Sequence, residues 1–115
     1  MLFRSTVFIK PELEAAFPGG SPAWNKYLLR NLNVKALSDK GAPQAQYNVV
    51  VSFIVNIDGS IGKIWVDPEN NPGYGSAEES IRVIKKGPAW TPANYNGKLV
   101  KSLKKMPINY FLGDD

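Results

Sequence analysis

The chain has 115 residues, enough for one domain with a substantial hydrophobic core. It contains no cysteine and no histidine, so the usual zinc ligands and the commonest general base are missing. We therefore expect a binding protein without metal or cofactor rather than an enzyme. The formal net charge of +4 is moderate and is diluted by ten acidic residues, which favours a solvated basic face over a nucleic-acid interface.

Residues 1–20 are predicted to form an extended lead-in, because their apolar runs are short and they end in Phe17-Pro18-Gly19-Gly20. A helix is predicted to follow, since Ser21 is a favoured N-cap residue and Pro22 suits the first helical position. Its apolar stripe is expected to face a sheet, and it consists of Trp24, Leu28 and Leu32.

The most strand-like run is Tyr47–Ile57, in which alternate residues are all apolar while the intervening ones are mixed. This pattern predicts a central strand with helices packed on one side only. Asp58-Gly59-Ser60 then supplies turn residues, and apolar residues resume at Ile61–Val66. The two runs together predict a β-hairpin.

A second helix is predicted to begin at Ser76, which lies three residues before Glu79 in capping-box spacing, and to end at Gly87-Pro88. The last predicted strand, Lys98–Leu112, contains four lysines and Pro107, which donates no backbone hydrogen bond. Both features are typical of a strand at the edge of a sheet.

These elements predict an α+β fold in which a three-stranded antiparallel sheet carries two helices on one face. The predicted strand order is 2-1-3, so that the first strand lies between its hairpin partner and the last strand. One domain is expected over residues 21–112, followed by a short tail at 113–115.

Several motifs in combination resemble the C-terminal domain of TonB-type energy transducers. The resemblance runs from about Phe17 to Leu112. It rests on Phe17-Pro18-Gly19-Gly20, Val49–Val55 with Asp58-Gly59-Ser60-Ile61, Pro88-Ala89-Trp90-Thr91-Pro92 through Asn96-Gly97-Lys98, and Pro107-Ile108. It implies a periplasmic binding module that adds a partner strand to its sheet.

The resemblance further implies that the last strand pairs with the TonB box, a short extended segment of an outer-membrane receptor plug, for energy-coupled import. Contact with inner-membrane motor proteins would need an anchor that the given sequence does not contain. Partner-binding residues are then expected at Lys98, Leu99, Val100, Lys101, Ser102, Leu103, Lys104, Lys105 and Met106.

A second interface is predicted at Val50, Ile54 and Trp65, which share the strand face opposite to the helices. Either a partner, including a second copy in a homodimer, or the lead-in could cover it. Trp90 is expected to be a core aromatic residue. The alternative function is a structural or signalling module of the cell envelope with the same fold and no receptor partner.

Overall fold

A computed structural model describes residues 6–113, so residues 1–5 of the predicted lead-in and residues 114–115 of the predicted tail lie outside the described part. No helix within the described part is long and apolar enough to cross a membrane. The predicted α+β class is confirmed. The elements are β1 (Val7–Phe8), α1 (Gly20–Asn31), α2 (Lys35–Asp39), β2 (Ala45–Val55), β3 (Ile61–Val66), a 3₁₀ turn (Pro68–Asn70), α3 (Ser76–Lys86), β4 (Ala93–Tyr95) and β5 (Lys98–Leu112).

The sheet has five strands rather than the predicted three. Its order is β1-β5-β2-β3, with β4 paired to β5, and only the β1–β5 pair is parallel. The three predicted strands are β2, β3 and β5, which lie next to one another with β2 between the other two and β3 at one edge of the sheet. The prediction missed β1 and β4 because strands of two and three residues are too short to show an alternating pattern.

Strand β2 is the centre of the sheet, and it begins and ends two residues earlier than predicted. Its residues Val49, Val51, Phe53 and Val55 are fully buried under the helices. Their alternation with less apolar residues explains why helices cover only one face. The other face of the sheet carries no helix, and Val50, Ile54 and Trp65 are partly exposed.

The β2–β3 hairpin closes through the predicted Asp58-Gly59-Ser60 turn. The Asp58 Oδ1 atom accepts hydrogen bonds from both the backbone N–H and the hydroxyl of Ser60, at 2.9 and 2.6 Å. Gly59 has φ +87°, and its carbonyl accepts a 2.9 Å hydrogen bond from the backbone N–H of Trp90. The turn is thereby fastened to the segment that leads into β4.

An aromatic cluster joins α1 to the sheet, and the predicted core position of Trp90 is confirmed. This side chain is 3% exposed, and its ring lies 5.1 Å from Phe53, 5.5 Å from Trp24 and 5.6 Å from Phe17. Rings at these separations and tilts pack favourably.

Helix α1 begins at Gly20 after a left-handed Gly19, one residue before the predicted N-cap Ser21, which makes no capping hydrogen bond.

Helix α3 lacks the predicted capping box, because its N-cap is Gly75 and Ser76 is already helical. The Glu79 carboxylate instead binds Arg82 at 2.7 Å and accepts a 2.7 Å hydrogen bond from the N–H of Asn33. Burial alone would raise the pKa of Glu79. The hydrogen bonds from Arg82 and Asn33 outweigh burial and hold this pKa below its ordinary value.

A buried hydroxyl pair connects α3 to β5. The hydroxyls of Tyr110 and Ser80 are 2.8 Å apart, and Tyr110 also donates to the Ser76 carbonyl at 3.2 Å. Because both side chains are fully buried, desolvation raises the pKa of Tyr110 to about 12. The Tyr27 hydroxyl joins the two main helices by donating to the Val83 carbonyl at 2.6 Å.

Candidate binding edge

The outer side of β5, opposite β2, is only partly open. Val7 and Phe8 of β1 pair with Lys101 and Ser102 in parallel. Strand β4 pairs antiparallel with Lys98–Val100 through the two-residue Asn96-Gly97 turn, in which both residues have positive φ. Five of the nine residues predicted to capture a partner, Lys98–Ser102, are therefore already paired within the chain.

The lead-in is tied to this end of the sheet rather than merely preceding it. Leu13 and Asn94 exchange backbone hydrogen bonds of 3.0 and 2.8 Å, and Ala16 and Thr91 exchange a pair of 3.0 and 2.8 Å. The Glu12 carboxylate accepts a 2.7 Å hydrogen bond from the N–H at the β4–β5 turn. These contacts hold the lead-in against β4, the segment before it and the β4–β5 turn.

Beyond Ser102, no strand of the described residues pairs with the outer side of β5, so its edge is open from Leu103 to Leu112. Pro107 lies within an unbroken run of eleven antiparallel pairs with β2. Successive backbone amides point to opposite edges, and proline is tolerated where its missing N–H faces away from the neighbouring strand. We infer that the outward backbone groups belong to Leu103, Lys105, Pro107, Asn109 and Phe111, with Pro107 offering only its carbonyl.

An apolar groove of about 640 Å³ runs between this open edge and α1. Leu29 and Phe111 stand at the groove as large apolar side chains that are 86% and 67% exposed. On the helix side the groove is lined by Trp24, Asn25, Leu28, Leu29, Leu32 and Val34, and on the strand side by Met106, Pro107, Asn109 and Phe111. The edge thus offers backbone hydrogen bonds next to apolar surface.

The structure divides the nine predicted partner-binding residues into three groups. Lys98, Leu99 and Val100 face β4, and Lys101 and Ser102 face β1, so their pairing contradicts the expected open edge over this part. Lys104 forms a 3.1 Å ion pair with Glu14 of the lead-in. Of the predicted residues, Leu103, Lys105 and Met106 lie with Lys104 on the open part of the edge.

Met106 was predicted as a binding residue, whereas the groove residues on α1 and Pro107, Asn109 and Phe111 of β5 were missed. Leu29 lies outside the predicted apolar stripe of its helix, and Phe111 lies on the mixed parity of its strand. The sequence nevertheless contains a signal for a surface groove, because these two large apolar residues occupy positions that the pattern assigns to solvent. Their closeness in space, in contrast, required knowledge of how α1 crosses the sheet.

No metal centre is built within residues 6–113, because no three or more carboxylates come together there as a ligand group. The fold and the site define a small α+β module with an open strand edge beside a groove. No protein-family model, curated protein or solved structure matches the chain.

Proposed function

We propose that this chain is a TonB-like binding module that captures an extended segment of another protein on the open edge of β5. The observation that carries the proposal is the open run Leu103–Leu112 beside an apolar groove. The proposed partner is the TonB box of an outer-membrane receptor plug, and the proposed compartment is the periplasm. In this role the domain transmits force to the receptor and has no catalytic step of its own.

Strand addition alone gives limited affinity. Roughly eight backbone hydrogen bonds along this edge, each worth about 0.5–1.5 kcal/mol net, contribute about 4–12 kcal/mol. The loss of translational and rotational freedom costs about 4–15 kcal/mol and offsets most of this gain. The groove must therefore supply the remainder by burying apolar side chains of the partner, which favours a segment with alternating apolar residues.

The charge of the edge favours a partner with an acidic residue near the captured segment. Lys105 is exposed beside the open edge, and β5 contains no aspartate or glutamate. Lys104 is already engaged by Glu14, so it is less available to a partner. Attraction of this kind guides association more than it strengthens the final complex.

The proposal is tested by titrating the protein with a synthetic peptide that copies a receptor's TonB box and measuring binding by calorimetry. Asn109→Pro removes an outward N–H without removing a bond to β2, so we expect affinity to fall at least about tenfold. Asn109→Ala is the control for the side chain and should bind within a few-fold of the unchanged protein. Equal binding by the proline variant would overturn edge capture.

A second pair of variants locates the partner along β5. Leu29→Glu puts a charge into the groove and should weaken peptide binding, whereas Leu99→Glu changes an exposed leucine within the end that β4 already pairs and should not. The reverse result would move the capture site to Lys98–Val100. Circular dichroism of both variants checks that the fold is retained.

A further inference from the structure

The face of the sheet opposite to the helices, here named the open face, has an unusual distribution of charge. It includes Val50, Ile54, Trp65, Lys63, Lys101 and Lys105, all at positions that alternate with the helix-facing ones, and Leu103 and Pro107 lie on the same face. The five strands together contain five lysines and no acidic residue. Asp58 and Asp67 lie in the turns at the two ends of β3 rather than on a strand.

The lysines surround an aromatic centre. Ser52 pairs with Trp65 on one side and with Lys105 on the other, and although no helix covers it, Ser52 is only 1% exposed. The neighbouring side chains therefore lie across the sheet and cover it. Lys63 Nζ lies 5.1 Å from the centre of the Trp65 ring, close enough for a cation–π contact.

The part of the open face around Trp65 lies apart from the groove. Val50, Ile54, Trp65, Lys63, Lys101 and Lys105 line neither the groove nor three further clefts among the described residues. Tryptophan and lysine each combine an apolar body with a polar or charged end. A surface that presents both fits a membrane surface, where negatively charged headgroups lie above apolar acyl chains. An anionic phospholipid surface has this chemistry.

We propose that the open face binds anionic phospholipid headgroups, with Trp65 at the headgroup level and Lys63, Lys101 and Lys105 bound to phosphates. Because the captured segment adds at the edge of β5 and the lipid lies against a face, the two sites adjoin and share only the side chain of Lys105. This inference does not rest on the proposed function, and the variant Asn109→Pro should bind lipid like the unchanged protein.

The test is co-sedimentation with vesicles of phosphatidylcholine containing phosphatidylglycerol, compared with vesicles of phosphatidylcholine alone. We expect binding only to the anionic vesicles, weakening as salt is added. Each of Lys63→Gln, Lys101→Gln and Lys105→Gln should lower the partition coefficient about fivefold. The controls are the single variants Lys26→Gln and Lys85→Gln, each of which removes the same charge from an exposed position on a helix.

Tryptophan fluorescence provides a second readout. Trp24 and Trp90 are 5% and 3% exposed, so a blue shift on adding anionic vesicles reports Trp65 and should vanish in Trp65→Phe. Equal binding to neutral vesicles, or equal losses in the open-face and control variants, would overturn the proposal. Two other results would also overturn it, because each assigns the open face to another partner. One is a dimer in sedimentation velocity that depends on the three lysines. The other is binding of polyglutamate without binding of anionic vesicles.

Discussion

Replacing Gly59 by alanine should strongly destabilise this fold, because Gly59 is buried against Trp90 in the turn between β2 and β3. The φ angle of +87° costs an alanine about 1–2 kcal/mol. A Cβ atom at this position would stand 2.2 Å from the Trp90 carbonyl oxygen, which belongs to the backbone and cannot rotate away. The chain must then separate the turn from Trp90, losing the 2.9 Å hydrogen bond between them.

Loss of the Trp90–Gly59 hydrogen bond and displacement of the turn from Trp90 cost about 2 kcal/mol. Added to the cost of the positive φ angle, this gives a loss of about 3–4 kcal/mol in the free energy of unfolding. Gly41→Ala is the matched control, because its φ is +89° and nothing lies within 4 Å of the added Cβ atom. Urea unfolding followed by tryptophan fluorescence measures both variants. If the two lose the same free energy of unfolding, the contact between the hairpin turn and Trp90 does not stabilise the fold.

Three further changes test the buried polar groups. Ser102→Ala should raise the free energy of unfolding by about 1 kcal/mol in urea titrations, because the Ser102 hydroxyl is buried without a hydrogen-bond partner among the described residues. Tyr110→Phe should cost about 1–3 kcal/mol at neutral pH. It should also reduce the loss of stability that begins as the pH rises above about 10, since the neutral phenol of Tyr110 is favoured in the folded state up to its pKa of about 12. Glu79→Gln should cost about 1–2 kcal/mol at neutral pH, because Arg82 is half exposed and its ion pair is partly screened. The lowered pKa of Glu79 stabilises the fold above about pH 4.5, and thermal melts should show this contribution disappear as the pH falls through the folded-state pKa. Unchanged acid sensitivity in Glu79→Gln, unchanged alkaline sensitivity in Tyr110→Phe, or destabilisation by Ser102→Ala would contradict these assignments.

The sequence was informative wherever a pattern extended over many residues. The alternation in β2 predicted a central strand with one buried face. Pro107 with the lysines predicted that β5 lies at an edge, which holds only beyond Ser102, because β1 and β4 pair with its first five residues. The turn residues at Asp58-Gly59-Ser60 predicted the hairpin. In each of these cases local stereochemistry and the hydrophobic effect favour the same structure.

The remaining features depend on contacts between segments that are distant in sequence. Val7 and Phe8 form a strand only because β5 provides unpaired backbone groups, and two residues cannot carry a recognisable alternation. The pairing of Glu79 with Asn33 and Arg82 replaced a capping box that matched the spacing rule. The open part of the edge is consequently shifted from the predicted Lys98–Met106 to Leu103–Leu112.

The central claim is that a partner strand adds to the outer edge of β5 beyond Ser102. Amide NMR of the ¹⁵N-labelled protein, titrated with an unlabelled TonB-box peptide, measures this directly. We predict the largest shifts and slowed hydrogen exchange at the outward amides of Lys105, Asn109 and Phe111, with side-chain shifts at Leu29 in the groove. Shifts confined to α3 and β3, with the amides of Leu103–Leu112 unchanged, would contradict the account.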